Sequence, residues 1–283
     1  MEIGFFDRTT RGRLIVTGRD RMDLLHRLAT NSLLGLGPGK GANTCFCTAK
    51  GRMIDWTVVL DRGDDLLLLS ANPDRLSGHI QQYTITEDVM VRNYMAIEIA
   101  LCGPGAKAFL GVDLEPWCFT DIPLGDVKVQ VARVEPLAGD GYAILAPDAV
   151  ALRRLLAEKA TLLDEAAVAR LRVRDGIPAV PNEINEDHNP WEARLEGALS
   201  LSKGCYIGQE VIARLNTYEK VQRKLARLRL DRPFAEGDPL AKDGEVVGAV
   251  TTVAGEEALG YVRVEHLEPG TKLDGAAVLA FGP

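Results

Sequence analysis

Short apolar runs, broken by glycine, proline and charged residues, fill the first half of the chain. Within them apolar and polar residues alternate as in half-exposed strands, and the stretches between them are rich in turn residues. We expect strands at residues 12–18, 43–48, 53–60, 66–70, 96–101, 127–134 and 142–145. Successive strands joined by tight turns form a β-meander, which favours an antiparallel sheet over a doubly wound parallel one.

Helical spacing of apolar residues occurs in fewer places. A leucine-rich stretch at residues 24–28 follows the cap-like Asp20 and predicts a helix. Further helices are expected at residues 72–83, 104–110, 147–159 and 164–175, the last ending at Gly176. Short strands and helices without regular β-α-β alternation are typical of an α+β protein.

The pattern changes near Val221, where helix signals become rare. Strand-like runs at residues 225–230, 246–253, 258–264 and 276–281 are separated by turns that contain glycine, proline and aspartate. This pattern predicts a small terminal β-barrel or sandwich. We therefore place a domain boundary between residues 220 and 221.

Composition and charge narrow the class of protein. The 283 residues are 46% hydrophobic and 26% charged, as in an ordinary globular protein with a core large enough to need no disulfide or metal. The net charge of −7 argues against nonspecific nucleic-acid binding. The longest aliphatic run, residues 66–69, is far too short for a membrane span.

Cysteine usage and the first residues bear on the compartment. Five scattered cysteines are a poor disulfide framework and fit a reducing environment. The opening M-E-I-G-F-F-D-R has no basic region followed by an apolar stretch, so we expect no signal peptide. The expectation is a cytoplasmic protein that does not contact membranes.

Two motif-like features predict little chemistry. Cys45-x-Cys47 could be half of a zinc site, but no second cysteine pair has suitable spacing and the four histidines are isolated, so we expect no metal site. The glycine-rich loop at residues 35–41 lacks the G-K-[ST] ending of a phosphate loop. A serine-nucleophile elbow, G-x-S-x-G, is also absent from the sequence.

The octapeptide K-G-C-Y-I-G-Q-E, residues 203–210, is the densest chemical cluster. Lys203 beside Cys205 favours the thiolate, and the helix that is expected to start after Gly208 would favour it further. On that helix Glu210 and Arg214 are four residues apart and can pair. The alternative is a glycine turn with a buried, inert cysteine, and local chemistry leaves both open.

Asp55 is the second candidate, in the strand G-R-M-I-D-W. Its neighbours in sequence point to the opposite face, so Asp55 could project into a cleft. A carboxylate there could pair with an amino-heterocycle through two parallel hydrogen bonds. The alternative, favoured by spacing alone, is an ordinary exposed strand residue opposite a core tryptophan.

The octapeptide and the V-I-A-R that follows it resemble the signature of YgfZ-type proteins. These form the folate-binding, iron–sulfur cluster assembly branch of the glycine-cleavage T-protein (aminomethyltransferase) superfamily. Further likeness lies in L-L-H-R-L-A-T-N at residues 24–31, K-G-R-M at 50–53, R-V-R-D-G-I-P at 172–178, and Pro190-x-Glu192. The likeness covers nearly the whole chain and is strongest at residues 170–225.

The resemblance implies an α+β fold of antiparallel-sheet and helix subdomains in a ring around a central folate hole. The body, residues 1–220, would contain two interleaved subdomains, and residues 221–283 a small C-terminal β-barrel. The ligand would be tetrahydrofolate or a one-carbon derivative. The partners would be iron–sulfur client or assembly proteins, some of them tRNA-modifying enzymes, without direct contact to nucleic acid.

The resemblance also assigns site residues. Cys205 would be the functional thiol. Asp55 would anchor the pterin ring and would act together with Cys205 as a catalytic residue. Basic residues such as Arg214 or Arg223 would meet the glutamate tail. The full set expected to contact folate is Asp55, Trp56, Lys203, Tyr206, Gln209, Glu210, Arg214 and Arg223.

Two departures separate this chain from the transferases of that superfamily. The transferases typically carry paired aspartates where this chain has Asp55 and Trp56, and an acidic residue where it has Arg174. Glycine-cleavage transfer is therefore not expected. The main hypothesis is a folate-binding accessory protein. The alternatives are a tetrahydrofolate-dependent methyl- or aminomethyltransferase with another substrate, and a protein-interaction module that has lost its ligand.

Overall fold

The computed structural model describes residues 2–147, 149–217 and 220–281, and the chain divides into two compact units. The first comprises Met1–Cys47, Ile54–Leu163 and Gly197–Ile207, and the second Thr48–Met53, Asp164–Glu196 and Gly208–Pro283. Both combine helices with largely antiparallel sheets, which confirms the α+β class. The boundary at 220/221 and the ring around a central hole stay predictions.

The first unit contains two sheets and the helices that pack on them. Its strands are β1 (Gly4–Asp7), β2 (Gly12–Thr17), β3 (Gly41–Cys47), β4 (Met53–Asp61), β5 (Leu66–Ser70), β6 (Met90–Asn93), β7 (Ile97–Cys102), β8 (Phe119–Leu124), β9 (Val127–Arg133), β10 (Gly141–Ala146) and β11 (Thr161–Leu162). Its helices are α1 (Arg21–Leu28), α2 (Pro73–Tyr83), α3 (Ala106–Leu110) and α4 (Ala149–Ala157).

The first sheet has the order β3-β4-β5-β2-β6 among the described residues. The pairs β4/β5, β5/β2 and β2/β6 are antiparallel, with Leu14 opposite Leu68 at the centre. Helices α1 and α2 bury Leu24, Leu28 and Ile80 against one face of this sheet. The predicted β-meander is thereby confirmed, with β2 added beside its last strand.

The second sheet has the order β11-β1-β7-β10-β9-β8. Its pairs are antiparallel except β1 with β11, and α3 and α4 contribute to the core on one face. A further apolar layer joins the two sheets, where Val58 and Leu67 pack with Val134 and Leu145. Both faces of β4 are therefore covered, which decides the environment of Asp55.

The second unit consists of two helices and a curved sheet in its described part. The helices are α5 (Glu165–Asp175) and α6 (Gln209–Thr217), and the strands are β12 (Arg223–Leu230), β13 (Pro239–Lys242), β14 (Glu245–Ala254), β15 (Glu257–Arg263), β16 (Lys272–Leu273) and β17 (Ala276–Leu279). The sheet order is β13-β14-β15-β12-β17-β16.

This sheet is nearly closed. The amide of Asp274, just after β16, donates to the carbonyl of Ala241 in β13 (2.8 Å), so the two edge strands approach each other. Residues from all sides fill the interior, among them Leu228, Leu240 and Val262. The predicted C-terminal barrel is confirmed as a barrel-like sheet.

Helix α5 has the ends that its sequence predicts. The side chain of Asp164 accepts a hydrogen bond from the Ala167 amide (2.7 Å), and Gly176 ends the helix in the left-handed region (φ 71°). Short 3-10 turns lie at Glu196–Ala198 and Val264–His266. Across the described residues, the helices are too short and too polar for any of them to cross a membrane.

Candidate functional site

Asp55 lies in β4, in the interior of the first unit, and is completely buried. Its Oδ2 accepts hydrogen bonds from the hydroxyls of Ser70 (2.5 Å) and Thr57 (2.9 Å). Its Oδ1 accepts from the amides of Trp56 (2.9 Å) and Ala71 (3.3 Å). Burial raises the pKa of Asp55 to about 6 although these donors oppose the shift.

This environment matches neither interpretation of the sequence. Asp55 is not an exposed strand residue, and it does not project into an open cleft. Four donors occupy the acceptor positions of one carboxylate, which offers about four lone-pair sites. Asp55 therefore ties β4 to the end of β5, and its anchoring of a pterin stays a prediction.

Trp56 points to the opposite side of β4 and is half-buried. Its indole Nε1 donates to Oδ1 of Asn43 in β3. The cavity beside it has a volume of about 20 Å³ and is lined also by Arg8, Arg11 and Glu98. A space of this size holds about one water molecule, so it does not admit a pterin ring.

Lys203 is bound to the end of helix α1. Its Nζ donates to the carbonyls of His26 (2.5 Å), Ala29 (2.6 Å) and Asn31 (3.0 Å). A cation at this position satisfies the carbonyls that a helix leaves unpaired and opposes the negative end of its dipole. Burial lowers the pKa of Lys203 to about 8. Its three N–H donors serve backbone carbonyls, not Cys205 as the sequence suggested.

The two residues after the first glycine of the signature have opposite environments. Cys205 is exposed, whereas the other four cysteines are buried, so the alternative of a buried cysteine in this turn is wrong. The reactivity of its thiol stays a prediction. Tyr206 is buried, and its ring lies 5.0 Å from Nζ of Lys203. Burial and the nearby Cys47 raise the pKa of Tyr206 to about 12. The segment therefore presents its thiol to solvent.

The end of the signature starts α6, as predicted. Gly208 has φ 82°, and a Cβ atom there would lie 2.6 Å from the carbonyl oxygen of Thr48, so this turn requires glycine. Gln209 is half-buried in the first turn. Glu210 and Arg214 are both exposed and form no ion pair with each other in the described chain, contrary to the predicted pairing.

A second group of polar residues lies in the second unit, around Glu192. Its Oε1 accepts from Nε of Arg223 (3.1 Å), and its Oε2 lies 3.5 Å from Nη1 of Arg52 and accepts from the Asn189 amide (2.9 Å). Both guanidinium groups also donate to the carbonyl of Asp187, each at 2.8 Å. Two cations therefore converge on one buried carboxylate and one loop carbonyl.

Aromatic rings form the wall beside these arginines. The imidazole of His188 stacks on the ring of Tyr261, with centroids 3.6 Å apart and an angle of 17° between planes. The hydroxyl of Tyr261 donates to the carbonyl of Glu183 (2.7 Å), which fixes the ring. Burial, Arg223 and Arg52 together lower the pKa of His188 to about 3, so the imidazole is neutral at physiological pH.

These residues line an open cleft of about 690 Å³. A second space, beside Glu192, adjoins it and shares Arg52, Arg223 and Arg263. We call the two spaces together the Glu192 cleft. Its charged lining is mixed: Arg52, Arg223, Arg263, Glu186, Asp187, Glu192 and Glu265. Because the charges nearly balance, the cleft suits a polar ligand with both donors and acceptors better than a polyanion. Its size is that of a small-molecule site.

The sequence pointed to only part of this cleft. Arg223 and the Pro190-x-Glu192 motif were singled out, but His188 and Tyr261 were not. One local signal existed, because Asn189 accepts from the amides of Trp191 (3.0 Å) and Glu192 (3.1 Å) in the manner of a capping residue. Arg174, in the place of an acidic residue, pairs with Asp175 (2.7 Å) on α5.

The arrangement can bind and orient a ligand through its charged and aromatic side chains. The described lining of the Glu192 cleft contains no cysteine, serine or lysine. Clusters of three or more His, Cys, Asp or Glu side chains able to hold a metal ion do not occur within the described ranges. The predicted thiol, Cys205, lies in the other unit.

Comparison with known proteins connects these features. The family model of the GCVT N-terminal domain matches residues 1–203, and that of the CAF17 C-terminal beta-barrel domain matches residues 222–283. An Aminomethyltransferase of Geobacillus kaustophilus is 30% identical over 273 residues, which covers 88% of this chain and 74% of that protein.

Two further relatives extend the comparison. A chloroplastic protein of Arabidopsis thaliana, whose name assigns it provisionally to the transferases, is 29% identical over 92% of this chain, and the chain spans 65% of its length. The crystal structure of the glycine cleavage system aminomethyltransferase T from Bartonella henselae shares the fold, with a TM-score of 0.86 at 21% identity, covering 99% of this chain and 85% of that one. The chain therefore belongs to the GCVT N-terminal domain family, as a YgfZ/CAF17-type member in which that domain is followed by a CAF17-type β-barrel.

Proposed function

We propose that this protein binds a reduced folate and acts as an accessory protein in the assembly or repair of iron–sulfur clusters. The support comes chiefly from one feature, the largely buried Glu192 carboxylate held between Arg52 and Arg223 in the wall of the Glu192 cleft. A pterin ring carries an amino group and a ring N–H on one edge, and one of these can donate to the acceptor site of Glu192 that Arg223, Arg52 and the Asn189 amide leave free. The fixed ring of Tyr261 forms a wall beside it.

Several observations favour an accessory role over aminomethyl transfer. Trp56 stands where the transferases carry a second aspartate, and Asp55 is enclosed by four donors. A carboxylate without free lone pairs is poorly placed to position a reacting amine. The CAF17-type barrel and the exposed Cys205 agree with the iron–sulfur branch of the superfamily.

The cellular setting forms part of the proposal. We place the protein in the reducing cytoplasm, a compartment in which structural disulfides are rare; no disulfide joins two cysteines within the part of the chain that the structure describes. The partners would be iron–sulfur enzymes or assembly proteins, including enzymes that modify tRNA. Cys205 would serve these partners from the surface of the first unit.

Titration calorimetry with 5-formyltetrahydrofolate, a stable reduced folate, tests the ligand. We expect wild type to bind and Arg223→Gln to bind at least 10-fold more weakly, because one guanidinium that orients Glu192 is lost. Arg229→Gln is the matched control, since Arg229 lies on the same strand, half-exposed, and pairs only with Asp231 (3.6 Å) among the described residues. Absence of binding to wild type would refute the proposal, and equal binding by both variants would refute the site.

The cellular role needs a separate measurement. In a strain of the source organism that lacks the protein, we expect iron–sulfur enzyme activities to fall and wild type to restore them. Cys205→Ala should restore less, while Cys118→Ala, which changes a buried cysteine, should restore fully if it folds. Unchanged iron–sulfur enzyme activities in that strain would contradict the accessory role.

A folate-dependent transferase is the second candidate, favoured by the 30% identity to a protein named Aminomethyltransferase. It predicts that tetrahydrofolate gains a methylene or methyl group when amine or ether donors are supplied. Incubation of the protein with tetrahydrofolate and such donors, followed by chromatography of the folate, distinguishes the two. Formation of one-carbon folate that depends on the protein would replace the accessory role by catalysis.

A further inference from the structure

Strand β6 is an outer strand of the first sheet, and no described strand pairs with it on the side away from β2. The amide of Tyr94 donates to the carbonyl of Arg13 (2.8 Å), so Tyr94 and Arg92 turn their backbone polar groups toward β2. Val91 and Asn93 alternate with them and turn theirs away. Among the described residues these outward groups have no backbone partner. We call this open row, at Val91 and Asn93, the β6 edge.

The second sheet protects one of its outer strands, β8, in a way that β6 lacks. The amide of Phe119 donates away from β9 to the carbonyl of Gly39 (3.0 Å), so Pro123, four residues on, faces the same way. Proline has no N–H, which hinders the addition of a further strand. Strand β6 contains no proline. Its edge therefore stays able to pair.

Large apolar side chains are exposed around the β6 edge. Ile85, Met90 and Met95 are 84%, 63% and 93% exposed. Methionine is flexible and polarisable, and it is common on surfaces that bind other proteins. A strand that adds to a sheet edge gains affinity from backbone hydrogen bonds and specificity from side-chain contacts. The β6 edge offers both.

Arg92 decides what kind of segment fits. Its side chain is exposed and forms no hydrogen bond or ion pair with a described residue. The acidic residues just before the strand are engaged elsewhere. Glu87 pairs with Arg27 (2.7 Å), and the carboxylate of Asp88 accepts from the Arg19 amide (3.2 Å). A strand added here places a side chain directly beside Arg92, where an opposite charge is favourable.

A second copy of this chain fits the edge less well. In an antiparallel pair of β6 strands, the register that uses both outward residues pairs Val91 of one copy with Asn93 of the other. Arg92 then lies directly opposite Arg92, and like charges in this position destabilise a strand pair. The charge of the edge therefore favours a different, acidic chain over self-association.

We propose that the β6 edge is an interaction surface for an extended segment of another protein, which adds to the first sheet as a further strand and places an acidic side chain beside Arg92. The segment contributes apolar side chains next to Met90 and Val91. This inference goes beyond the proposed function and does not depend on folate binding, because the β6 edge lies in the first unit and the Glu192 cleft in the second.

The hexapeptide S-T-E-V-V-S, acetylated and amidated at its ends, is the probe. Paired antiparallel with β6, its glutamate lies beside Arg92 and its valines beside Val91 and Met90. Backbone amide NMR of the full chain follows the titration. We expect the amide resonances of Val91 and Asn93 to shift and their hydrogen exchange to slow, because they gain acceptors. The Arg92 amide, which already faces β2, should change less.

Methylation of the peptide backbone separates strand addition from a merely apolar contact. The amides of the threonine and the first valine face β6 in this register, so N-methylation of both should abolish binding. The glutamate amide faces away from β6, and its N-methylation should leave binding intact. Loss of binding from both kinds of methylation, or from neither, would contradict strand addition.

Three variants test the residues of the edge. Arg92→Glu should bind S-T-E-V-V-S about 5-fold more weakly or worse and should prefer S-T-K-V-V-S. Asn93→Pro removes an outward N–H and leaves the ladder to β2 intact, so it should melt like wild type and lose peptide binding. Asn93→Ala is its matched control, which keeps the N–H and should bind like wild type.

The opposite results overturn the proposal. Unchanged Val91 and Asn93 amides at millimolar peptide would refute it and leave Arg92 as a charge that keeps the edge unpaired. If Arg92→Glu does not change the preference between the two peptides, the acidic partner is wrong. A dimer of wild type in sedimentation, lost in Asn93→Pro, would replace the partner by a second copy. If Asn93→Pro does not fold, the methylated peptides decide.

Discussion

Asp55→Asn removes an ionisable group from the interior of the first unit while keeping its shape. The folded-state pKa of Asp55 is about 6, against 3.8 for a solvent-exposed aspartate as in the unfolded chain. The pKa is raised because burial outweighs the four hydrogen-bond donors. The folded protein therefore binds the proton more tightly than the unfolded chain does. It follows that wild type gains stability as the pH falls from about 6 to about 4, and that this part is missing in the variant.

The magnitude follows from the size of the shift. A raised pKa of about 2 units corresponds to about 3 kcal/mol, present as a penalty at pH 7.5 and absent below pH 4. The free energy of unfolding of wild type minus that of Asp55→Asn should therefore rise by about 2 kcal/mol between pH 7.5 and pH 4.5. All other titrating groups are common to both proteins and cancel.

Urea unfolding of both proteins at pH 4.5, 6.0 and 7.5 measures this difference. Asp126→Asn, at an exposed turn position, is the control for loss of a surface carboxylate. A difference that is independent of pH, or that changes in the opposite direction, would refute the assignment of a desolvated carboxylate. Because Asp55 lacks free lone pairs, we also expect Asp55→Asn to bind folate like wild type; a large loss of affinity would restore Asp55 as the pterin anchor.

Four other substitutions or reagents test the remaining features. Lys203→Met should lower the free energy of unfolding by about 2–3 kcal/mol, since three carbonyls lose a charged donor; urea denaturation at pH 7 that shows no loss would contradict the helix-end role. Gly208→Ala should cost at least about 2 kcal/mol by the same assay, because its φ is 82° and its Cβ would meet the Thr48 carbonyl; a stable variant would mean that the turn rearranges. Iodoacetamide should modify Cys205 first in the folded protein, as read by mass spectrometry, since the other thiols are buried; labelling spread over several thiols would refute this. Wild type should lose up to about 1.4 kcal/mol per pH unit from His188 between pH 6.5 and about pH 4, because only the unfolded state takes up the proton there, and His188→Phe should lack this loss; identical pH profiles would refute it.

The strand pattern could be predicted from the sequence because it depends on local periodicity and turns. The meander of β3, β4 and β5, the helix after Gly208 and the strands that begin at Arg223 all follow from such signals. The environment of Asp55 could not be predicted, since alternation tells which face a residue occupies and not whether that face is covered. Here α1 and α2 cover one face of the sheet and the second sheet covers the other.

The candidate site was harder to predict from the sequence than the strands, because tertiary structure brings its residues together. His188 and Glu192 lie in a segment without periodicity, and Tyr261 is 69 residues beyond Glu192, on a barrel strand. Adjacency in sequence also misled: Lys203 is two residues from Cys205, yet its partners are carbonyls about 170 residues earlier. Neither the approach of Tyr261 to Glu192 nor the contacts of Lys203 with the end of α1 can be predicted from the local sequence.

The shared carbonyl of Asp187 has a consequence for the energetics of recognition. Because Arg52 and Arg223 both donate to it, the loop that carries His188 is fastened at two points before any ligand arrives. Association then needs little ordering of this wall, so less conformational entropy is lost on binding. The two arginines that orient Glu192 thus also hold the 185–189 loop in one conformation. Amide hydrogen exchange in this loop should therefore already be slow in the free protein.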